Sequence, residues 1–411
     1  MKRDFFWRIS YHRLMHFVFA KVITGGEYII NNFIIEKEKH YQKIEKYYLK
    51  RSIKSNKQVK YIDELTQHDV KRNSVLAIEI NDFHGATFAN YVQYFIDLGY
   101  DTHVLLQNNK NLTENPFQLI KADFKMWAGT LSDIQRFLRS GKRKYFKVVF
   151  INTLWYKDYQ NIFTALGCVP RGREGLIGIE HNVATNKERF HEDFYFQNDI
   201  FATPGGFRGT RMINSTRVGE RQPILGKSKD YCRFAVIGAL SSNNRNFRIL
   251  FQAMSELIDK GFKKFEVKLI GPGQINIPEK ILPYIKMTGW VDYKKLYTLS
   301  READFIVSLF DYYIEEHRKY LDSWFTGAAQ LSWGFYRPLI MQKEFSNSYF
   351  LTNDNAVLFE KHSLAGAMER AILMEPNDYI KMQEEIRATA QQVERISKNN
   401  IIEMLENQRC I

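Results

Sequence analysis

The chain has 411 residues, 45% of them hydrophobic and 26% charged, with a formal net charge of +13 and three cysteines. That length allows two domains of ordinary size, each with its own core, and the composition excludes a fibrous or disordered chain. Cys168, Cys232 and Cys410 lie far apart without metal-ligand spacing, which argues against a zinc module or a disulfide framework and for a reducing compartment.

In residues 1–35, Phe5, Phe6, Ile9, Leu14, Phe17, Val18 and Val22 recur at roughly helical spacing with Lys and Arg between them. Two readings stand side by side. One is an interfacial helix whose aromatics enter a lipid headgroup layer. The other is a helix packed on the protein body or on a second subunit. Up to residue 60, fourteen Lys and Arg stand against five Asp and Glu, a balance suited to an anionic membrane surface. No nucleic-acid-binding motif accompanies the charge, so no nucleic-acid partner is expected. Arg8, His12, Arg13, His16 and Lys21 break the apolar start, so it does not read as a signal peptide. No run of eighteen uncharged apolar residues exists to span a bilayer. The expected location is cytoplasmic, peripheral on the cytosolic membrane face under the first reading of the arm. Residues 36–60 read as a solvated helix and 56–73 as a polar connector.

A strand is predicted at 74–80, followed by the loop Asn81–Asp82–Phe83–His84–Gly85, a helix at 87–98 and a second strand after Leu98–Gly99–Tyr100. Gly85 suits a close backbone approach; His84 is a site candidate or a loop histidine without a role. KVVFINTLW (147–155) reads as a buried strand from its Val/Ile/Phe run. GLIGIEHN (175–182) ends a strand on His181, and DIFATPGGFRG (199–209) ends one on Pro–Gly–Gly. Arg208, Arg211, Arg217 and Arg221 read as a solvated basic face before Pro223.

From residue 231 strands and helices alternate at the spacing of βαβ units. Strands are predicted at 233–237, 265–270, 286–287 and 305–309, with a helix at 247–260 and glycine turns at Gly238, Gly271–Gly273 and Gly289. Glycine turns after parallel strands lie where an open α/β sheet binds its ligand, and helix N-termini there favour phosphate. Two helices, 363–374 and 377–407, finish the chain.

VIGALSSNNRN, KLIGPG, TGWVDYKKLYTLSREADFIVSL, Asp322 with Gln330, and YRPLI resemble, in that order, the donor-binding half of the family 4 glycosyltransferases (glycosyl transferases group 1). The resemblance implies an α/β GT-B fold, two Rossmann-like domains facing across a cleft, here with an extra basic helical arm. The implied divisions are an arm at 1–73, an acceptor domain at 74–222, a nucleotide-sugar domain at 223–385 and a C-terminal helix, 386–411, crossing back to the first domain. It also implies roles. His181 would face the donor sugar, with Glu180 and Asn182 beside it. Arg245, with Arg248 next in line, would meet the diphosphate, and Gly238, Gly271 and Gly273 would supply backbone donors. Gly289 and Trp290 would lie against the nucleobase, although Trp290 also reads as plain core. Asp322 and Gln330 would hold sugar and ribose hydroxyls, and His84 and Gly85 would line the cleft. Three departures stand out: Ala239 where the family has Arg, an amide at Gln330 where it has a carboxylate, and the long insert DYYIEEHRKY before Asp322.

The implied activity is transfer of a sugar from a nucleotide sugar to a glycan or lipid-linked glycan in bacterial surface polysaccharide synthesis. Configuration would be retained, with no metal and no cofactor beyond the nucleotide-sugar substrate. The competing readings are a GT-B sugar-nucleotide epimerase or polymerase, and a non-catalytic GT-B partner that scaffolds another transferase; Ala239 and Gln330 keep the last one open. No feature sets an oligomeric state.

Overall fold

The structure, a computed structural model, describes residues 43, 46, 47, 49 and 59–408, apart from 82–83, 108, 155–174, 182–200, 208–209, 229, 242, 244 and 362. The interfacial-helix reading of residues 1–35, and the placing of Asn182 and Arg208, therefore fall outside the described residues.

Two parallel sheets organise the rest. The first has eight strands: β1 (Val59–Tyr61), β2 (Ser74–Glu79), β3 (Asp101–Leu106), β4 (Lys125–Ala128), β5 (Val148–Ile151), β6 (Gly175–Ile179), β7 (Phe201–Thr203) and β8 (Arg211–Met212), in the order β1-β4-β3-β2-β5-β6-β7-β8. The second has six: β9 (Cys232–Ile237), β10 (Phe265–Ile270), β11 (Ile285–Gly289), β12 (Phe305–Val307), β13 (Leu339–Gln342) and β14 (Ala356–Phe359), in the order β11-β10-β9-β12-β13-β14. Every residue of β2 is buried, as expected of a central parallel strand covered by helices on both faces.

Packing follows from the covering helices. In the first half, Phe88, Tyr91 and Phe95 of the helix Gly85–Asp97 pack on one face of the sheet, and Ile134, Phe137 and Leu138 of Leu131–Arg139 pack on the other. In the second half, Leu250, Ala253, Met254 and Leu257 of the helix Phe247–Asp259 fill one face. Thr130 caps its helix with a capping box to Asp133, and Asn246 caps Phe247–Asp259 by accepting from Ile249 N; each side chain satisfies an amide that the first turn leaves open.

The long last helix, Pro376–Asn407, touches both halves. Near its start the Tyr379 hydroxyl donates to Asp304 O at 2.6 Å and Gln383 donates to Tyr336 O at 2.8 Å. Further on, Ser397 Oγ accepts from Asn214 N, and just beyond the helix Gln408 brackets the main chain of Leu176. A Cβ at Gly175 would collide with Leu405, so glycine there lets the helix lie against the first sheet. Three of the four arginines read as a solvated face, Arg211, Arg217 and Arg221, are its partners. Arg217 is buried and pairs with Asp97 and with Glu394 of the last helix, Arg221 also reaches Glu394, and Arg211 reaches Glu403. That pairing is invisible in the sequence, because the acids lie more than a hundred residues from the arginines.

Candidate active site

Adjacent parallel strands end on the same side, so strand order alone decides which residues meet. In the first sheet β2, β5 and β6 are neighbours, and the residues that end or follow them, Glu79, Asn152–Thr153 and Glu180–His181, therefore converge. Glu79 is fully buried. Thr153 Oγ1 donates to its Oε2 at 2.6 Å, Asn81 N donates to Oε1 at 2.7 Å, and Asn152 Nδ2 donates to Oε2. Burial nevertheless lifts its pKa from 4.5 to about 7, against those hydrogen bonds.

Two histidines complete this cluster. His84 caps the helix Gly85–Asp97 in the left-handed region, φ 62°, a conformation that costs a non-glycine residue about 1–2 kcal/mol. It is held there because its carbonyl accepts from Phe88 N, Thr87 Oγ1 and Asn152 Nδ2. Its ring stacks on that of His181, centroids 3.9 Å apart and 12° from parallel. Hydrogen bonds set both tautomers. Thr153 spends its one proton on Glu79, so towards His84 Nδ1, 3.2 Å away, it accepts, and Nδ1 carries the hydrogen. His181 Nε2 lies 2.9 Å from Asn152 O, a carbonyl that can only accept, so that nitrogen donates. Burial lowers both pKa values, His181 to about 4 and His84 well below its ordinary range with a push from His181. Both rings are neutral at pH 7.

In the second sheet β9 lies between β10 and β12, which brings the glycine turns together. A Cβ on Gly271 would collide with Gly238 O, and one on Gly238 would collide with Arg245 Nη2. Gly238 (φ 116°) and Gly271 (φ 149°) also have backbones that side chains resist. Arg245 folds onto this turn, donating from Nη2 to Ile237 O at 2.7 Å and from Nη1 to Ala239 O at 2.5 Å. Burial lowers its pKa, with Tyr320 opposing, but a guanidinium stays charged at any working pH. Gly271 N donates to Gly289 O at 3.1 Å, so the third turn adjoins the second, and Gly273 lies against Leu240 O.

The two halves meet beside these groups. A Cβ on Gly85 would collide with Tyr293 Oη, so the close approach that glycine permits there is to the second half of the protein itself. Trp290 is 50% exposed and donates to Glu114 Oε1 at 3.2 Å, an arrangement unlike core packing. Tyr297 Oη donates to Pro116 O at 3.0 Å.

The candidates thus sort by place. His84, Gly85 and His181 lie together, as do Gly238, Gly271, Gly273, Gly289, Trp290 and Arg245. Arg248 is exposed and lines a groove on the outer face of its helix with Phe251, Gln252 and Pro278, away from the turns. Asp322 is exposed and accepts from Ser323 Oγ at 2.6 Å, whereas Gln330 is buried on a separate helix, Gly327–Phe335. No hydrogen bond joins those two among the described residues, and a buried amide there is less costly than a buried carboxylate.

Sequence reasoning passed over Glu79, Asn152, Thr153 and His317. The first three sit at the ends of apolar runs, where a polar residue reads as a strand terminus. His317 lies in the insert DYYIEEHRKY and is fully buried. Asp311 N donates to its Nδ1 at 3.0 Å, so Nε2 carries the hydrogen, and that nitrogen is buried without a hydrogen-bond partner among the described residues. Asp311 in turn accepts from Asn246 Nδ2 at 2.7 Å, which ties the insert to the residue after Arg245. No group of three or more His, Cys, Asp or Glu among the described residues is placed to hold a metal, and no described helix is long and apolar enough to cross a membrane.

Two parallel α/β halves, with glycine turns at the strand ends of one and a polar cluster at those of the other, define a GT-B fold. No family model and no curated protein sequence matches the chain. Solved structures match it by shape. An α-glucosyltransferase in complex with UDP and a 13-mer DNA containing a HMU base superimposes with TM-score 0.56 at 8% identity, covering 81% of this chain and 99% of that one. Anabaena HepE in complex with UDP and glucose gives TM-score 0.49 at 12% identity, over 81% and 99% of the two chains. A UDP-N-acetylglucosamine 2-epimerase gives 0.46 at 12%, over 79% and 94%. At 8% identity the likeness to the α-glucosyltransferase establishes the fold alone.

Proposed function

We propose that this protein is a glycosyltransferase that moves a sugar from a nucleoside-diphosphate sugar to a hydroxyl group of a glycan or lipid-linked glycan. The observation that carries the reading is the placing of Arg245 across the abutting Gly238 and Gly271 turns, in a GT-B fold and on the side where the first half presents His84 and His181. A departing nucleoside diphosphate gathers negative charge, and a fixed guanidinium with main-chain amides at glycine turns would stabilise it without a metal. Gly289 and the half-exposed Trp290 adjoin this turn and would take the nucleobase, with ring stacking as the attraction. For Asp322 and Gln330 the reading assigns hydroxyl contacts only through the family resemblance.

The acceptor rests on charge. Fourteen Lys and Arg against five Asp and Glu in residues 1–60 suit a lipid-linked acceptor at an anionic cytosolic membrane face, in the making of a surface polysaccharide. Retention of configuration belongs to the resemblance and requires no protein base.

The test is thermal shift and nucleotide release over a panel of nucleotide sugars, beginning with UDP sugars, in excess EDTA. Binding and release of nucleoside diphosphate are expected to survive the chelator. A chain that binds none of the panel is a non-catalytic partner. Release restored only by Mn²⁺ overturns the metal-free mechanism, and conversion of the donor sugar without release marks an epimerase.

A further inference from the structure

We propose that His317, carried by the insert DYYIEEHRKY, donates from Nε2 to the distal phosphate of the nucleoside diphosphate and so stands in for the cation missing at Ala239. The inference rests on the nucleotide-sugar reading and deepens it by naming a second donor beside Arg245.

The insert is built onto the turn that carries Arg245. Asn246, the next residue, donates from its main-chain N to Leu309 O at 2.8 Å and from Nδ2 to Asp311 at 2.7 Å. Gln342, at the end of β13, accepts from Tyr312 N at 2.6 Å. Phe310 stacks on Tyr320 at 3.9 Å and meets the His317 ring at 6.1 Å. The charge of Arg245 reaches both of those side chains. Burial lowers the His317 pKa against Asp311, with Lys319 and Arg245 adding to the effect, and burial raises that of Tyr320 with Arg245 opposing.

Strand order sets where along the ligand the insert lies. The ends of β11, β10, β9 and β12 follow one another across the sheet. The nucleobase is assigned to Gly289 and Trp290, after β11, and the diphosphate to Gly238 and Arg245, after β9. The insert follows β12, on the side of Arg245 away from the base. A donor there belongs to the phosphate farther from the nucleoside.

His317 has such a donor to give. It is fully buried, its Nδ1 accepts from Asp311 N at 3.0 Å, and Nε2 keeps its hydrogen without a hydrogen-bond partner among the described residues. A buried donor left open is destabilising. The fold uses only the acceptor side of this ring, and a ligand oxygen would use the other. Neutrality suits the place. Burial already lowers the pKa of Arg245, and a second buried cation beside it would lower it further. An imidazole N–H adds a hydrogen bond to an anionic oxygen without adding charge. No bond is made or broken at His317; it holds the leaving phosphate while Arg245 meets the charge.

The experiment titrates the full-length chain by calorimetry with UDP and UMP, and with the guanosine, adenosine, cytidine and thymidine pairs if uridine nucleotides do not bind. His317→Asn keeps an acceptor for Asp311 N and removes Nε2. His317→Gln keeps a donor at the far end and removes that acceptor. The expected result is that His317→Asn weakens diphosphate binding about 10–100-fold, the range for a hydrogen bond to a charged group, and leaves monophosphate binding unchanged. His317→Gln should recover most of the loss. Unchanged diphosphate binding in His317→Asn overturns the proposal, as does an equal loss for diphosphate and monophosphate. Loss in His317→Gln with binding kept in His317→Asn marks a purely structural bond to Asp311 and overturns it too. A loss seen with the nucleotide sugar but not with free diphosphate puts the ring on the sugar instead. If His317→Asn does not fold, His317→Gln decides: diphosphate binding near the wild-type value supports the donor, and its loss refutes it. A wild-type chain that binds no nucleoside diphosphate overturns the nucleotide-sugar reading itself.

Discussion

At the scale of single residues, two groups carry opposite obligations. Arg245 is held charged over a glycine turn by two main-chain carbonyls. Arg245→Ala should lower kcat/KM for nucleotide-sugar turnover by about 10²–10³-fold, the cost of removing one donor to a developing anion. Arg245→Lys should fall between, since an ammonium cannot bridge both carbonyls in the planar way a guanidinium does. An unchanged kcat/KM in the alanine variant, read in steady-state release, moves the diphosphate site elsewhere. Glu79 is the reverse case, a carboxyl that folding prefers to protonate. Its folded pKa, about 7, exceeds its ordinary 4.5, so its contribution to stability is whole below about pH 4.5 and is lost as pH rises through 7. His181 and His103, each lowered by burial to about 4 from 6.5, work the other way: they favour the fold above 6.5 and lose that contribution as pH falls through 4. Around His103 stand Asp101, Lys125 and His68, with Trp127 stacked on its ring. In Glu79→Gln the falling contribution disappears. Urea unfolding between pH 4.5 and 7 should then show stability rising with pH more steeply than in the wild type; parallel slopes would mean that Glu79 titrates normally in the fold.

At the scale of elements, period and turn chemistry made most of the second sheet legible. The strand predicted at 265–270 is β10 to the residue, and the helix predicted at 247–260 ends one residue earlier, at Asp259. The run 147–155 is strand only over Val148–Ile151; beyond it Asn152 N still donates to Ile78 O and Leu154 N to Ile179 O, while the side chains of Asn152 and Thr153 turn to Glu79. The strand Lys125–Ala128 and the helix Leu131–Arg139 went unread: four residues carry too little period to distinguish a strand from a loop. Elements also meet through charges that no local pattern reveals. Arg217, on the link after β8, binds Asp97 at the end of one helix and Glu394 in the middle of the last. Arg217→Ala should cost about 3 kcal/mol, the lower end for breaking a buried pair because Lys398 still neutralises Glu394. A drop in the urea midpoint at constant m would show it; a midpoint within error of the wild type would mean that the last helix docks by apolar contact alone.

For the whole molecule, the join between the halves is made of side chains rather than sheet. Tyr293, Tyr297 and Trp290 from the second half reach Asn111, Pro116 and Glu114 of the first, and the last helix bonds to both halves. The basic start of the chain would add a third surface. Each cation near an anionic leaflet contributes about 1 kcal/mol, fading over a Debye length of about 8 Å in physiological salt. The full-length protein should therefore co-sediment with phosphatidylglycerol vesicles at low salt and release from them at high salt. Indifference to the vesicles at low salt, together with lower stability when the first 73 residues are deleted, would return that segment to the body of the protein.

The sequence by itself determined the alternation of strand and helix, the three glycine turns and the order of motifs, because all of these are written in residues close together along the chain. Gly238, Gly271 and Gly289 could be singled out from their position after apolar runs, and the structure supplies the reason that Gly238 and Gly271 must be glycine. What only the tertiary structure decided is which distant residues share a site. Glu79, Thr153 and His181 are neighbours solely because β2, β5 and β6 lie side by side in the sheet, and strand order is a long-range choice that local period does not encode. The same holds for burial. Glu79 and His317 look like ordinary polar residues in the chain, and become a carboxyl near neutrality and a ring donor without a hydrogen-bond partner among the described residues once the fold takes water away from them.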